Sequence, residues 1–135
     1  MLEKECIQSR GFRNVVNQGK NTGFQFNIRS LYYRGLWLSQ LRPATITVDG
    51  ETFSGNQITW TINDITYEQE EMLTLGNVHW GLLEPATLTV RKEGGLKPGS
   101  HDIELTYQYS SSYFPPSMDT LLSSAPYNRT LILVQ

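Results

Sequence analysis

The residues whose types could do chemistry are Cys6, the two histidines His79 and His101, 13 acidic side chains, and a set of aromatic and arginine residues on loops. The histidines have no metal-ligand spacing to each other or to Cys6, so a metal site here would need carboxylates from distant loops. Nucleophilic catalysis has no motif: there is no GxSxG elbow, and the serines at 110–112 read as loop. Neither GxGxxG nor GxxxxGK[ST] occurs, so phosphate cradles are absent. No glycosidase-type carboxylate pair can be picked out. Glu84 stands beside Pro85 at a loop-to-strand junction, where a solvated charge or a local salt bridge is the ordinary role.

What remains is the set Tyr32, Tyr33, Arg34, Trp37, Trp80, Tyr113 and Phe114. Aromatic faces stack on sugars and planar phenols, and arginine offers a planar fork to an oxygen anion. Such a set can bind, but it supplies no base, nucleophile or metal. It suits a subunit that completes another chain's active site better than a free-standing enzyme. The alternative for each residue is ordinary packing, and for Trp80 that alternative is as strong as contact.

These side chains need rigid elements to hold them. Gly23–Gly35, GFQFNIRSLYYRG, begins as a strand with Phe24, Phe26 and Ile28 on one face and Gln25, Asn27 and Arg29 on the other. It delivers Tyr32, Tyr33 and Arg34 at its exit, followed by Trp37. Strand alternation recurs in GFRNVVN, ATITVDG, QITWTIN, ATLTVRK and HDIELTYQY, and NRTLILVQ reads as an apolar strand that is central or tightly covered. Asp49-Gly50 marks a hairpin, and Gly94-Gly95 with Lys97-Pro98-Gly99 punctuates another. One short helix is expected from Thr66, with Gln69 as capping-box partner, Met72, Leu73 and Leu75 inward and Gly76 as the stop. The pattern predicts an all-β, antiparallel two-sheet β-sandwich, immunoglobulin-like, with one short helix; a barrel is the alternative. The connections 30–44, 63–86 and 110–129 are too long or too decorated for plain turns. The last is too apolar for disorder and must bury its rings somewhere.

The chain has 135 residues, 39% hydrophobic and 18% charged, with a net charge of -2. This fits one domain spanning 1–135 with a core of ordinary size. Its 11 basic residues are scattered, so nucleic acid is not an expected partner. No apolar run approaches the roughly 20 residues of a membrane span, and the N-terminus has no secretory h-region. One cysteine rules out an internal disulfide and fits a reducing compartment, making a cytoplasmic location the expectation.

The order TGFQFNIRSLYYRGLWLS, ATITVDG and NVHWGLLEPATLTVRKEGGLKPGSHDIELTYQYSSSY resembles the β subunit of bacterial C-glycoside deglycosidases, from about Gly11 to Pro116. The most specific parts are Tyr32-Tyr33-Arg34-Gly35 with Ser39, Val48-Asp49-Gly50, and Gly94-Gly95-Leu96 with Gly99. His79 departs from the aromatic residue expected beside Trp80, and the tail from Ser117 is not covered. The resemblance implies a small β-sandwich paired with a larger TIM-barrel α subunit, in a hetero-oligomer of αβ pairs. The α subunit would carry the general base and a divalent metal, usually manganese; this chain would bind no cofactor. The implied substrate is a C-glucoside of a flavonoid or other phenol, oxidised to the 3-keto sugar. The ketone acidifies C2–H, the enediolate is held by the metal, and the C1–aryl bond breaks by elimination rather than hydrolysis. On this reading Tyr32, Tyr33 and Arg34 dock on the barrel's mouth, with Trp80 and Tyr113 as secondary contacts. A stand-alone carbohydrate- or phenol-binding sandwich and a structural assembly subunit are the other classes.

Overall fold

A computed structural model describes residues 3–30, 36–41, 44–72, 74–76, 78–81, 84–110, 121–123 and 127–134. The strands run in order β1 (Arg13–Asn17), β2 (Lys20–Ile28), β3 (Leu36–Trp37), β4 (Thr45–Val48), β5 (Glu51–Phe53), β6 (Ile58–Ile62) and β7 (Ile65–Glu68). After helix α1 (Gln69–Met72) come β8 (His79–Trp80), β9 (Ala86–Arg91), β10 (Gly99–Thr106), β11 (Gln108–Ser110), β12 (Leu121–Ser123) and β13 (Tyr127–Leu133). One antiparallel sheet has the order β1-β2-β9-β6-β7 and a second the order β13-β10-β4-β5. Two small ribbons, β3-β8 and β11-β12, add to them. The all-β sandwich with one short helix is therefore present as expected.

Strand periodicity places every second residue inward. Phe24, Phe26 and Ile28, then Ile58, Trp60 and Ile62, with Leu88 and Val90, face a second layer from Ile46, Val48, Phe53, Ile103, Leu105, Leu131 and Leu133; all are buried. Phe24 and Phe53 meet edge-on across the layers at 5.6 Å, an arrangement favoured by the ring quadrupoles. Outward positions carry threonine pairs, such as Thr61 with Thr66 at 2.8 Å and Thr47 with Thr52 at 3.1 Å.

Two elements differ from their sequence reading. Thr66 does not cap a helix: it lies in β7, opposite Thr61, and the helix is one turn ending at Met72 rather than near Gly76. The chain reverses at Asn63 and Asp64, both at positive φ (53° and 66°), a tight hairpin without glycine. Pairing with β6 then outcompetes a short helix, whose nucleation is costly. Met72 is buried as expected, and Leu75 packs against the core. The C-terminal strand is neither central nor covered on both faces: β13 is an edge strand, with Leu131 and Leu133 buried but Ile132 and Val134 about 70% exposed (69% and 76%).

Two tethers join distant segments. Asn14 in β1 gives and receives one hydrogen bond with the Leu96 backbone, both at 2.8 Å. Gly95, at φ 62°, permits this approach, because a Cβ there would lie 2.5 Å from the Asn14 Oδ1. The N-terminal arm pairs with the end of β2, where the Gln8 N–H donates to the Asn27 carbonyl at 2.8 Å and the Arg29 N–H to the Cys6 carbonyl at 2.9 Å. From the other sheet, Arg129 donates to the Ile7 carbonyl at 2.8 Å and to the Glu3 carboxylate at 3.0 Å.

Candidate functional site

The ribbon β3-β8 sits where the first long connection meets the second, and it sorts two of the predicted contact residues by face. Leu36 pairs with Trp80 and Trp37 with His79. Trp37 and His79 are both half-buried and meet edge-on, with ring centroids 4.9 Å apart. The ribbon is held by the Leu38 N–H donating to the Val78 carbonyl at 2.8 Å and the Ser39 N–H to the Leu75 carbonyl at 3.2 Å. A tryptophan and an imidazole on a partly exposed ledge can stack on a planar or sugar ring. Tyr32, Tyr33, Arg34 and Tyr113 lie outside the described residues, as does Phe114.

Trp80 faces the other way. It is fully buried, its ring packs edge-on against Trp60 at 5.6 Å, and its Nε1–H donates to the Glu84 carbonyl at 2.7 Å. Its position is that of the packing alternative, because a strand pair two residues long turns alternate side chains to opposite faces. Trp60 continues the stack to Tyr107 at 6.1 Å, and Tyr107 to Tyr127 at 6.2 Å. Beneath the stack lies buried Gln69. Its Oε1 accepts from the Trp60 Nε1–H at 2.9 Å and the Ala44 N–H at 2.7 Å, and its amide donates to the Gly55 carbonyl at 3.1 Å and the Ala44 carbonyl at 3.4 Å. A buried amide with all four bonds made holds the ledge's base rigid.

Glu84 is half-buried, and no salt bridge reaches it among the described residues. Its Oε2 is enclosed and has no donor among the described residues. Sequence reading picked out the position but not this state, and it did not see His79 as a partner of Trp37, because a two-residue pairing across some forty residues leaves no periodic trace.

The remaining reactive side chains are otherwise engaged. The buried Cys6 thiol is pushed up to about 12 by burial, so it is no nucleophile. His101 resembles part of a catalytic dyad, with Nδ1 2.6 Å from the Asp49 carboxylate, yet its Nε2 lies 2.6 Å from the Lys97 carbonyl. Both ring nitrogens face acceptors, so the doubly protonated ring is favoured and neither nitrogen is open to a substrate proton. Burial opposes this charge, but the Lys97 carbonyl and the Asp49 carboxylate outweigh it and raise the pKa. Among the described residues no three His, Cys, Asp or Glu side chains converge, so these residues do not fit a divalent metal site. A shallow groove of about 610 Å³ on the outer face of β4, β10 and β13 is lined by residues such as Thr47, Asp102, Glu104 and Thr130, with no aromatic ring to stack on. No helix of the described residues is long and apolar enough to cross a membrane.

Comparison with known proteins gives the family. Residues 2–113 match the model of the family described as C-glycoside deglycosidase beta subunit. The chain is 48% identical over 116 residues to the "C-glycoside deglycosidase beta subunit" of Eubacterium cellulosolvens, covering 85% of this chain and 79% of that protein. It is 32% identical over 95 residues to the "3'-dehydrocarminate deglycosidase beta subunit" of a Microbacterium species, covering 70% of each. A β-sandwich carrying an aromatic ledge but no catalytic set among its described residues thus has relatives named as subunits, and the chain belongs to the C-glycoside deglycosidase beta subunit family.

Proposed function

We propose that this chain is the small subunit of a two-subunit enzyme that cleaves the carbon–carbon bond between a 3-keto sugar and a phenolic or flavonoid aglycone. The family membership carries this reading. The name of the Microbacterium relative specifies a 3'-dehydro substrate. A ketone at C3 of the sugar acidifies the C2 proton. Removal of that proton, formation of the C1–C2 double bond and departure of the aryl carbon, which takes up a proton, release the aglycone and an unsaturated keto sugar. Atoms balance without water, so the reaction is an elimination, and the enzyme a lyase.

The resemblance implies that the base and a divalent metal, manganese in this reading, belong to a larger TIM-barrel subunit, and the described donors of this chain, which do not converge on a metal, accord with that division. When bound there, the cation would polarise the ketone. The present chain contributes shape: the end of the sandwich that bears Trp37 and His79, together with Tyr32, Tyr33, Arg34 and Tyr113, walls the aglycone side of the partner's mouth. The pairing is placed in the cytoplasm of a bacterial cell, as αβ units of a hetero-oligomer.

The test is co-expression with the product of the neighbouring reading frame, size-exclusion chromatography, and assay of aglycone release from a 3-keto C-glycoside. One hetero-oligomer that releases aglycone, with neither chain active alone, is the expected result. A chain that stays monomeric beside the larger protein and binds glycosides unaided would replace this reading with that of a binding module.

A further inference from the structure

The outer strands of a sheet carry a row of unpaired backbone N–H and C=O groups, which invite another strand unless something guards them. In the two main sheets the edges are β1 and β7 in one and β5 and β13 in the other. Three of them are guarded. β1 is broken by a bulge between Val15 and Val16. β5 has three residues, and its Glu51 makes an ion pair with Lys92 at 3.0 Å. β7 has four, and its Glu68 takes both guanidinium nitrogens of Arg91, at 2.8 and 3.0 Å.

β13 has none of these devices, and among the described residues its one neighbouring strand is β10. It keeps an unbroken register with β10 over seven residues, from Tyr127 opposite Leu105 to Leu133 opposite Gly99. Its outward side chains are Asn128, Thr130 and Ile132, with Val134 next in line, all exposed and uncharged. Ile132 and Val134 are neighbours on one face. The other large exposed apolar side chains among the described residues, Val16 and Ile65, stand singly on β1 and β7. Arg129 is the strand's one charge. A charge on the inner face guards an edge when it must reach round that edge to water. This guanidinium is instead bound by the Ile7 carbonyl at 2.8 Å and the Glu3 carboxylate at 3.0 Å, so covering the edge leaves no charge unpaired.

We propose that β13 pairs antiparallel with β13 of a second copy of this chain, about a twofold axis near Ile132, joining two four-stranded sheets into one of eight. A twofold contact must match itself, because one patch meets its own symmetry mate. The outward row of β13 does so. Ile132 faces its twin and Val134 faces Thr130 of the copy, with no charge opposite its like. The nearest carboxylates on that face, Asp102 and Glu104, stand one strand further in, opposite Thr130 and Asn128. Across the axis they are three strand spacings apart, roughly 14 Å. That exceeds the screening length of about 8 Å at physiological salt. The contact does not depend on the larger subunit; where that subunit is bound, it joins αβ units in pairs.

The experiment places a thiol on each of three edges in turn, Ile132→Cys, Val16→Cys and Ile65→Cys, and treats the co-expressed complex with a short bismaleimide. The native Cys6 is buried and its thiol pushed up to about 12, so the introduced thiol is the reactive one in this chain. Opposed residues of antiparallel strands have Cβ atoms about 5 Å apart, within reach of the linker. Ile132→Cys is expected to give a product of twice the chain's mass, and Val16→Cys and Ile65→Cys none. Adding Val134→Lys to Ile132→Cys should lower that product about tenfold or more, because an edge lysine opposes strand pairing. All four side chains are exposed, so the fold tolerates these changes. Absence of the doubled product from Ile132→Cys overturns the pairing. A monofunctional maleimide then tells a bare edge, where the thiol reacts, from one covered by the larger subunit, where it does not. Equal product from all three positions, or a product that Val134→Lys leaves unchanged, overturns it as well. If the two chains do not co-purify, the subunit reading fails, and the same cross-linking on the full chain by itself still decides the edge.

Discussion

His101 shows how a residue that looks catalytic is a structural clamp. Its imidazolium bridges the Asp49 carboxylate in the β4-β5 turn and the Lys97 carbonyl before β10. Its pKa is raised, so its contribution to stability is fully present below about 6.5 and is lost as pH rises through the folded value. The difference in melting temperature between the native complex and His101→Gln should therefore shrink on going from pH 6 to alkaline pH; a difference that grows would contradict the clamp. Glu3 behaves in the opposite sense. The Ser9 N–H and the Arg129 guanidinium lower its pKa to about 2 from 4.5. Its hold on the N-terminal arm is present above about 4.5 and lost as pH falls toward 2. Hydrogen exchange at Cys6–Gln8 should rise across that window before the sheets exchange, and Glu3→Gln should bring the loosening to neutral pH.

At the scale of elements, the ledge and its base should separate by substitution. Trp80→Ala removes a fully buried ring that packs on Trp60, and is expected to cost about 3–5 kcal/mol in urea unfolding. Trp37→Ala should cost markedly less stability and instead weaken assembly with the larger subunit. Gln69→Leu leaves the Trp60 and Ala44 donors and two carbonyls unpaired, an expected loss of about 2–4 kcal/mol. The elements that sequence revealed are those whose burial alternates: β4, β9 and β10 bury every second residue, and β2 and β6 do so apart from the additionally buried Gly23 and Thr59. Where that signal was absent or ambiguous, tertiary pairing decided. Ile65–Glu68 carries helix-start chemistry yet pairs with β6 through an Asn-Asp turn. The run Leu131–Val134 is apolar throughout, so it cannot disclose that only alternate residues meet the core. Of the candidate site, the aromatic inventory was legible and its sorting into ledge and core was not, because β3 and β8 are two residues each and far apart in the chain.

For the whole molecule, the sandwich is a frame whose one end gathers the ledge and the exit of β2. The chain holds three tryptophans, and their placement has an optical consequence. Trp60 and Trp80 are buried and nearly perpendicular at 5.6 Å, close enough for their transitions to couple in near-ultraviolet circular dichroism. Trp37 alone is partly open to solvent, so acrylamide should quench its emission selectively. Adding the larger subunit to the Trp60→Phe, Trp80→Phe double variant should therefore turn one indole from quenchable to shielded, an intrinsic gauge of docking that requires no label.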